Sequence, residues 1–196
     1  MKVKHLVGAF LCVLGCYACS SPKTEVQSPD GHIKMTLTVD ENGKPFYNVS
    51  VDDSLLIENS AMGFTVANGI ILAEGFQVKN TTFSSEDETW TQPWGENKKN
   101  RNHYNEMAVS LTNEDQVQLT LRFRVFDDGI GFRYEYTVPT VDSLLITDEL
   151  TTFHFHRDGT SWSIPASAET YELLYQQQPI SEVETANTPF TFKTAD

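Results

Sequence analysis

The sequence predicts an all-β fold of mainly antiparallel strands stacked as a sandwich. Three observations carry this. Short runs of alternating apolar and polar residues recur along the chain, separated by turn residues. After the first nineteen residues no stretch sustains helical periodicity, and Glu169 to Gln177 is the only candidate for a short helical turn. Leu119 to Val138 also reads as one self-consistent hairpin. Many short strands with regular turn signals close into a sandwich or barrel.

The chain opens with a targeting segment, residues 1–19. Lys2, Lys4 and His5 precede an apolar run from Leu6 to Gly15, too short for a bilayer span of about 20 residues. Val13-Leu14-Gly15-Cys16 fits a bacterial lipoprotein cleavage box. Cys16-Tyr17-Ala18-Cys19 fits it less well because Tyr17 is bulky, although Ser20-Ser21 after Cys19 resembles a lipoprotein tether. Cys16 and Cys19 are therefore the candidate lipidation sites, and ordinary cleavage after Ala18 is the alternative. Each reading makes the protein an exported one. Cys12, Cys16 and Cys19 are all the cysteines there are, so the domain that follows has no disulfide and relies on its core. Residues 20–27 are polar and read as a tether, which leaves 28–196 as the domain.

Within that domain Ile33, Met35, Leu37 and Val39 alternate with polar residues, and Tyr47, Val49 and Val51 form the partner face. The parity of the two sets requires an odd loop, so Glu41-Asn42-Gly43 is expected to be a three-residue turn with Gly43 left-handed. Leu55 to Ile57, Phe64 to Val66, Ile70 to Leu72 and Phe76 to Phe83 follow as short strands, with Asn68-Gly69 as a turn. Residues 84–103 carry no alternation and read as the longest irregular region, the kind of loop that is usually functional or disordered. Met107, Val109 and Leu111 lead through Asn113-Glu114-Asp115 into a strand from Val117. Asp128-Gly129 then predicts a type I′ turn, which pairs Val125 with Phe132 and Phe123 with Tyr134 and sets Arg122 opposite Glu135. Leu144 to Phe155 reads as one or two strands.

The net charge of −13, from 27 acidic and 14 basic residues, excludes nucleic acid as a natural partner, since that needs a basic patch. There is no Gly-x-Ser-x-Gly, no phosphate-cradling glycine loop and no His-Glu-x-x-His. His154 and His156 would share one strand face, but no third ligand appears at a motif spacing, so a solvated face outweighs a zinc site. Trp90 and Trp94 flank Pro93 in the irregular region. Indole faces stack on the C–H faces of sugars; buried anchoring is the competing reading, favoured for at least one of the two. Glu96, Glu106 and Glu172 are the carboxylates of interest, and sequence gives no separation between them.

Several blocks carry a resemblance when taken in order. They are Ser28-Pro29-Asp30-Gly31, Trp90-Thr-Gln-Pro-Trp94-Gly95-Glu96, Tyr104-Asn105-Glu106, the Asp127-Asp128-Gly129 hairpin and Tyr171-Glu172. From about Val26 to the end, the chain resembles the N-terminal domain of glycoside hydrolase family 97, which includes α-glucosidases and α-galactosidases of gut Bacteroides-type bacteria. The resemblance implies a sandwich of the galactose-mutarotase-like type, incomplete at its C-terminus and followed in family members by a (β/α)8 barrel and a small β domain. It implies an exported enzyme acting on oligosaccharides, in the periplasm or at the outer membrane of a Gram-negative cell. The catalytic carboxylates would lie in the barrel, so this chain alone would be inactive. It further implies that Glu172 reaches toward the barrel as one ligand of a Ca²⁺ ion, which takes six to eight oxygens. Trp94 and Glu96 become candidate substrate contacts, with packing on the barrel as another reading of their loop. The alternative function is a non-catalytic carbohydrate-binding lipoprotein. A mature binding module would be expected to end its sheet cleanly, whereas Thr188 to Asp196 is a strand-like run without a capping tail.

Overall fold

A computed structural model describes residues 24–67, 70–139 and 141–194. The expected targeting segment with Cys16 and Cys19, and the expected Asn68-Gly69 turn, lie outside the described residues. In chain order the strands are β1 (Glu25–Gln27), β2 (Ile33–Val39), β3 (Pro45–Val51), β4 (Ser54–Ala61), β5 (Phe64–Val66), β6 (Ile71–Leu72), β7 (Gln77–Thr91), β8 (Lys99–Thr112), β9 (Gln118–Phe126), β10 (Gly129–Thr137), β11 (Ile146–Glu149), β12 (Gly159–Pro165), β13 (Gln176–Pro179) and β14 (Ala186–Thr194). They form four sheets, ordered β1-β2-β3-β4, β10-β9-β8-β7, β11-β5-β6 and β13-β12-β14. Every strand pairing is antiparallel.

The first two sheets make the sandwich. Alternation puts Met35, Leu37, Tyr47 and Val49 on the inner face of one, and Met107, Val109, Leu119, Leu121, Phe123 and Val125 on that of the other. All belong to one buried cluster. Each such side chain contributes about 1.5–3 kcal/mol by leaving water. The sheet β11-β5-β6 covers the flank of β10, where Phe64 packs edge-on against Tyr134 at 4.7 Å.

The β2–β3 turn is the expected one. Val39 pairs with Pro45, Gly43 has φ +76°, and its N–H donates to the Asp40 carbonyl at 3.0 Å. Gly43 is also required sterically, because a Cβ there would lie 2.3 Å from the Phe76 nitrogen.

Four expectations need correction. First, the segment read as a tether ends in β1, whose Val26 is buried. Thr24 exchanges hydrogen bonds with Leu37, its carbonyl accepting the Leu37 N–H at 2.9 Å and its hydroxyl donating to the Leu37 carbonyl at 2.7 Å.

Second, the β9–β10 register is displaced by two residues. Phe123 pairs with Phe132, Leu121 with Tyr134, and Arg122 with Arg133. Asp127 and Asp128 make the turn, and Gly129 already belongs to β10. Asp127 is drawn out of the ladder because its carboxylate accepts the Asp30 N–H at 3.0 Å. A two-residue displacement preserves parity, so the apolar residues keep their face, and Arg122 meets Glu135 diagonally. The two-residue turn with both residues left-handed lies elsewhere, at Asp52 (φ 49°) and Asp53 (φ 61°) between Val51 and Ser54.

Third, residues 84–103 are not irregular. β7 and β8 continue as a paired ribbon from Phe83–Met107 out to Thr91–Lys99. Alternation fails there because neither face of the ribbon is covered, so the sequence has no reason to place apolar residues on one side. Polar cross-strand contacts replace it, with Arg101 gripping Asp87 through two bonds of 2.7 and 2.8 Å and Asn102 donating to Glu88 at 3.0 Å.

Fourth, residues 169–175 form no helix, Gln176–Pro179 is a strand, and a 3₁₀ turn follows at Ile180–Glu182. The stretch 144–156 supplies only the short β11. Beyond it the backbone follows β4 and β5 through single bonds, such as Leu150 N–H to Gly63 O at 2.9 Å and Thr152 N–H to Ala61 O at 3.0 Å.

Candidate functional site

The ribbon tip is built by its loop. The Gln92 N–H donates to the Lys98 carbonyl at 3.1 Å, and the Gln92 side-chain amide crosses the loop to the Asn97 carbonyl at 2.8 Å. Gly95, at φ +116°, lets this brace pass, because a Cβ there would sit 2.5 Å from the Gln92 amide nitrogen. Trp94 is thereby held 85 % exposed, and Trp90 on β7 is 49 % exposed. The expectation that at least one of the two is a buried anchor does not hold. Glu96 is exposed on the same loop.

Glu106 lies on the outer face of β8 and is only 7 % exposed. Its oxygens accept from Arg122 Nη1 at 2.5 Å and Arg124 Nε at 2.8 Å. Arg122 also donates to Glu135 at 2.9 Å, and Arg133 Nε adds a bond of 2.8 Å to Glu135. Arg124 lies over the Tyr104 ring at 4.4 Å. Burial pushes the Glu106 carboxyl up, but the hydrogen bonds from Arg124 and Arg122 outweigh it and hold the group below the ordinary glutamate range. Arg122 is raised by Glu135 and then Glu106. A carboxylate with both oxygens engaged by arginines is a structural anion and is poorly placed for proton transfer. This network is missed by motif reading, although Arg122 and Arg124 at spacing two on one strand, facing Glu106 and Glu135, are its signal.

A second polar cluster joins two of the blocks that carried the resemblance. Ser28 donates to Asp30 at 2.5 Å, and the His32 N–H donates to the same oxygen at 3.0 Å. The Asp30 N–H reaches Asp127, which also lies 3.4 Å from His103. The His32 ring pairs with Asp52, which raises the His32 pKa above its usual value. The Ser28 hydroxyl, followed by the His32 N–H, lowers that of Asp30. Ser28-Pro29-Asp30-Gly31 and Asp127-Asp128-Gly129 are thus one staple between the ends of the two sheets.

Glu172 lies in the exposed segment between β12 and β13. Its N–H donates to the Thr170 hydroxyl at 3.0 Å, and Tyr171, Leu173, Leu174 (89 % exposed) and Tyr175 surround it in sequence. Its carboxylate could join a Ca²⁺ ion as one oxygen donor. Among the described residues no three His, Cys, Asp or Glu side chains gather as metal ligands, so the other donors to such an ion would come from outside them. His156 Nδ1 is 2.9 Å from Glu58 Oε2, and the Glu58 N–H donates to the His154 backbone carbonyl at 2.9 Å. Glu96, Glu106 and Glu172 lie on three separate elements, of which only the Glu106 carboxylate is tied into a charge network.

The sandwich is therefore a surface-rich β domain whose central polar groups serve structure and whose exposed groups lie on projections. The glycosyl-hydrolase 97 N-terminal family profile matches residues 26–196, and the chain belongs to that family. A retaining alpha-galactosidase of Bacteroides thetaiotaomicron is 28 % identical over 133 residues, covering 67 % of this chain and 19 % of that protein. Family 97 enzymes from Pseudoalteromonas sp. strain K8, solved in complex with panose and with acarbose, share 36 % identity and superpose with a TM-score of 0.79 over 87 % of this chain and 26 % of theirs. A beta-arabinopyranosidase at 24 % identity and a TM-score of 0.68 shares the fold. The chain thus spans about a fifth to a quarter of the length of these relatives.

Proposed function

We propose that this chain is the N-terminal domain of an exported, calcium-dependent α-glycosidase, an α-glucosidase or α-galactosidase acting on oligosaccharides, and that it completes the active site of a (β/α)8 barrel. The observation that carries the reading is the projecting segment 171–175. It presents a carboxylate, Glu172, between aromatic and aliphatic side chains that the sandwich leaves exposed, as a segment that docks on a second domain would. Membership of the family and the glycosidase named among the relatives support it. Glu172 is the proposed calcium ligand, and Trp94 and Glu96 are the proposed substrate contacts. Calcium, when bound, would organise carboxylates and assist leaving-group protonation. This chain's part is to deliver one oxygen donor and to shape the substrate side.

Hydrolysis of nitrophenyl α-glucosides and α-galactosides tests the division of labour. The chain alone should release no nitrophenol, and the same chain joined to a family 97 barrel should turn over one of them. Turnover by the chain alone contradicts the proposal. Export, with lipidation at Cys16 or Cys19, is the other proposed property; an unprocessed Met1 terminus in a cytoplasmic fraction, read by mass spectrometry, contradicts it. The second reading, a non-catalytic carbohydrate-binding lipoprotein, draws on the exposed Trp94, and it falls if the barrel-joined form is active.

A further inference from the structure

We infer that the recess above Gly131, on the outer face of β9 and β10, is a binding site for one carboxylate group, gripped by the guanidinium fork of Arg124 with Arg133 beside it. The inference does not rest on the glycosidase reading. Nor does it require the recess to face solvent in a longer protein, because an Asp or Glu side chain of a neighbouring domain presents the same group as a free acid. Three observations carry it. The first is a surplus of positive charge whose donors are not used up. Three guanidinium groups, of Arg122, Arg124 and Arg133, are tied to two carboxylates, Glu106 and Glu135. One positive charge is left over, on a chain whose net charge is −13. Arg122 engages all three of its nitrogens, and Arg133 lays Nε and Nη2 on one Glu135 oxygen at 2.8 and 2.7 Å. Arg124 spends only Nε, on Glu106 at 2.8 Å, and its Nη1 and Nη2 make no hydrogen bond among the described residues. Those two nitrogens are the end-on fork that receives a carboxylate bidentately.

The second is pose. The Arg124 guanidinium is held by its Glu106 bond and by the Tyr104 ring, whose centre lies 4.4 Å away, so the fork is set before a ligand arrives. The third is space made by a glycine. Gly131 stands directly opposite Arg124 in the ladder, and Arg133 opposite Arg122. A Cβ on Gly131 would meet nothing within 4 Å, and its φ lies outside the left-handed region. Neither packing nor backbone conformation therefore calls for glycine there. Glycine inside a strand weakens it and often marks a close approach by a ligand. Around it lies an open recess of about 210 Å³ lined by Arg122, Arg124, Phe126, Gly131, Phe132 and Arg133. Sites for whole small molecules run to about 300–1,000 Å³, so this one suits a single charged group rather than an oligosaccharide.

The test is a titration of the chain with sodium acetate, following the Arg124 Nε–H and Gly131 amide signals by NMR. Sodium chloride over the same range and neutral glucose are the controls. Acetate should shift both signals saturably with a Kd on the order of 10 mM, and the controls should leave them in place. Glucuronate separates the sources of the group. Tighter binding than acetate assigns the site to an acidic sugar; equal binding assigns it to the bare carboxylate that an Asp or Glu side chain presents. Gly131→Val fills the recess with a residue that strands favour and leaves every arginine in place. Acetate binding should then be lost while the Trp162 indole signal stays put, showing an intact fold. Arg124→Lys keeps the charge without the fork and should weaken binding about threefold or more. Unshifted signals, shifts of equal size with chloride, or acetate binding by Gly131→Val equal to that of the unaltered chain overturn the inference.

Discussion

The sandwich and its projections follow opposite rules. Between the two large sheets the inward positions are mostly apolar, and a continuous cluster of them is buried, while the outer face is tied by Glu106 and its arginines. On the ribbon beyond Phe83 and in residues 171–175 the apolar side chains are isolated and exposed, and no core backs them. The contrast teaches where selection for stability ends on this chain. The large aromatic side chains of the projections, Trp94 and Tyr171 among them, contribute nothing to the core.

Substitution breaks the comparison most sharply in the core. Phe123→Ala should lose about 3–5 kcal/mol in urea unfolding, because Phe123 is fully buried against Phe132 and the inner face. Leu174→Ala and Trp90→Ala, on the projections, should change stability by less than about 0.5 kcal/mol. Equal effects in the two regions would erase the distinction.

Glu106→Gln probes the polar side of the sandwich. It leaves Arg122 and Arg124 facing a neutral amide beneath partly exposed guanidinium groups, so the loss should be about 1–2 kcal/mol, discounted for solvent screening. The same unfolding experiment with added salt should narrow the difference between the two proteins.

The smallest effect is a pH dependence of the staple at the sandwich end. The folded-state pKa of His32 is raised, chiefly by its hydrogen bond to Asp52. Its contribution is therefore fully present below the unfolded value near 6.5 and is lost as pH rises through the higher folded value. Asp30 is lowered, chiefly by Ser28, so its contribution is present above the unfolded value and is lost in strong acid as pH falls through the folded value. Thermal melts should show Asp52→Asn flattening the decline on the neutral side and leaving the acid limb in place. An unchanged neutral-side slope would remove His32 from the account.

Much of the sandwich was legible because burial on one face writes a period of two into the sequence, as in Ile33 to Val39 and Leu119 to Val125. The β2–β3 loop was legible because parity and Gly43 agree. The ribbon was not, since Glu86, Asp87 and Glu88 form a strand with both faces in water and nothing enforces alternation. The β9–β10 register was misread because Asp128-Gly129 outranks Asp127-Asp128 as a local turn signal, and the contact that decides, Asp127 with Asp30, spans 97 residues. Among the candidate site residues, Trp94 and Glu172 were visible only as members of ordered blocks. Their exposure comes from what the sandwich fails to cover, and no local pattern encodes that.

The most direct test of the central claim is calcium titration by calorimetry on three proteins. These are the chain alone, the chain joined to a family 97 barrel, and the joined form carrying Glu172→Gln. The account predicts weak or no binding to the first, clear binding to the second, and a reduced affinity in the third, with activity partly restored by raising calcium. Tight binding by the chain alone, or an unchanged affinity in the Gln variant, would contradict it.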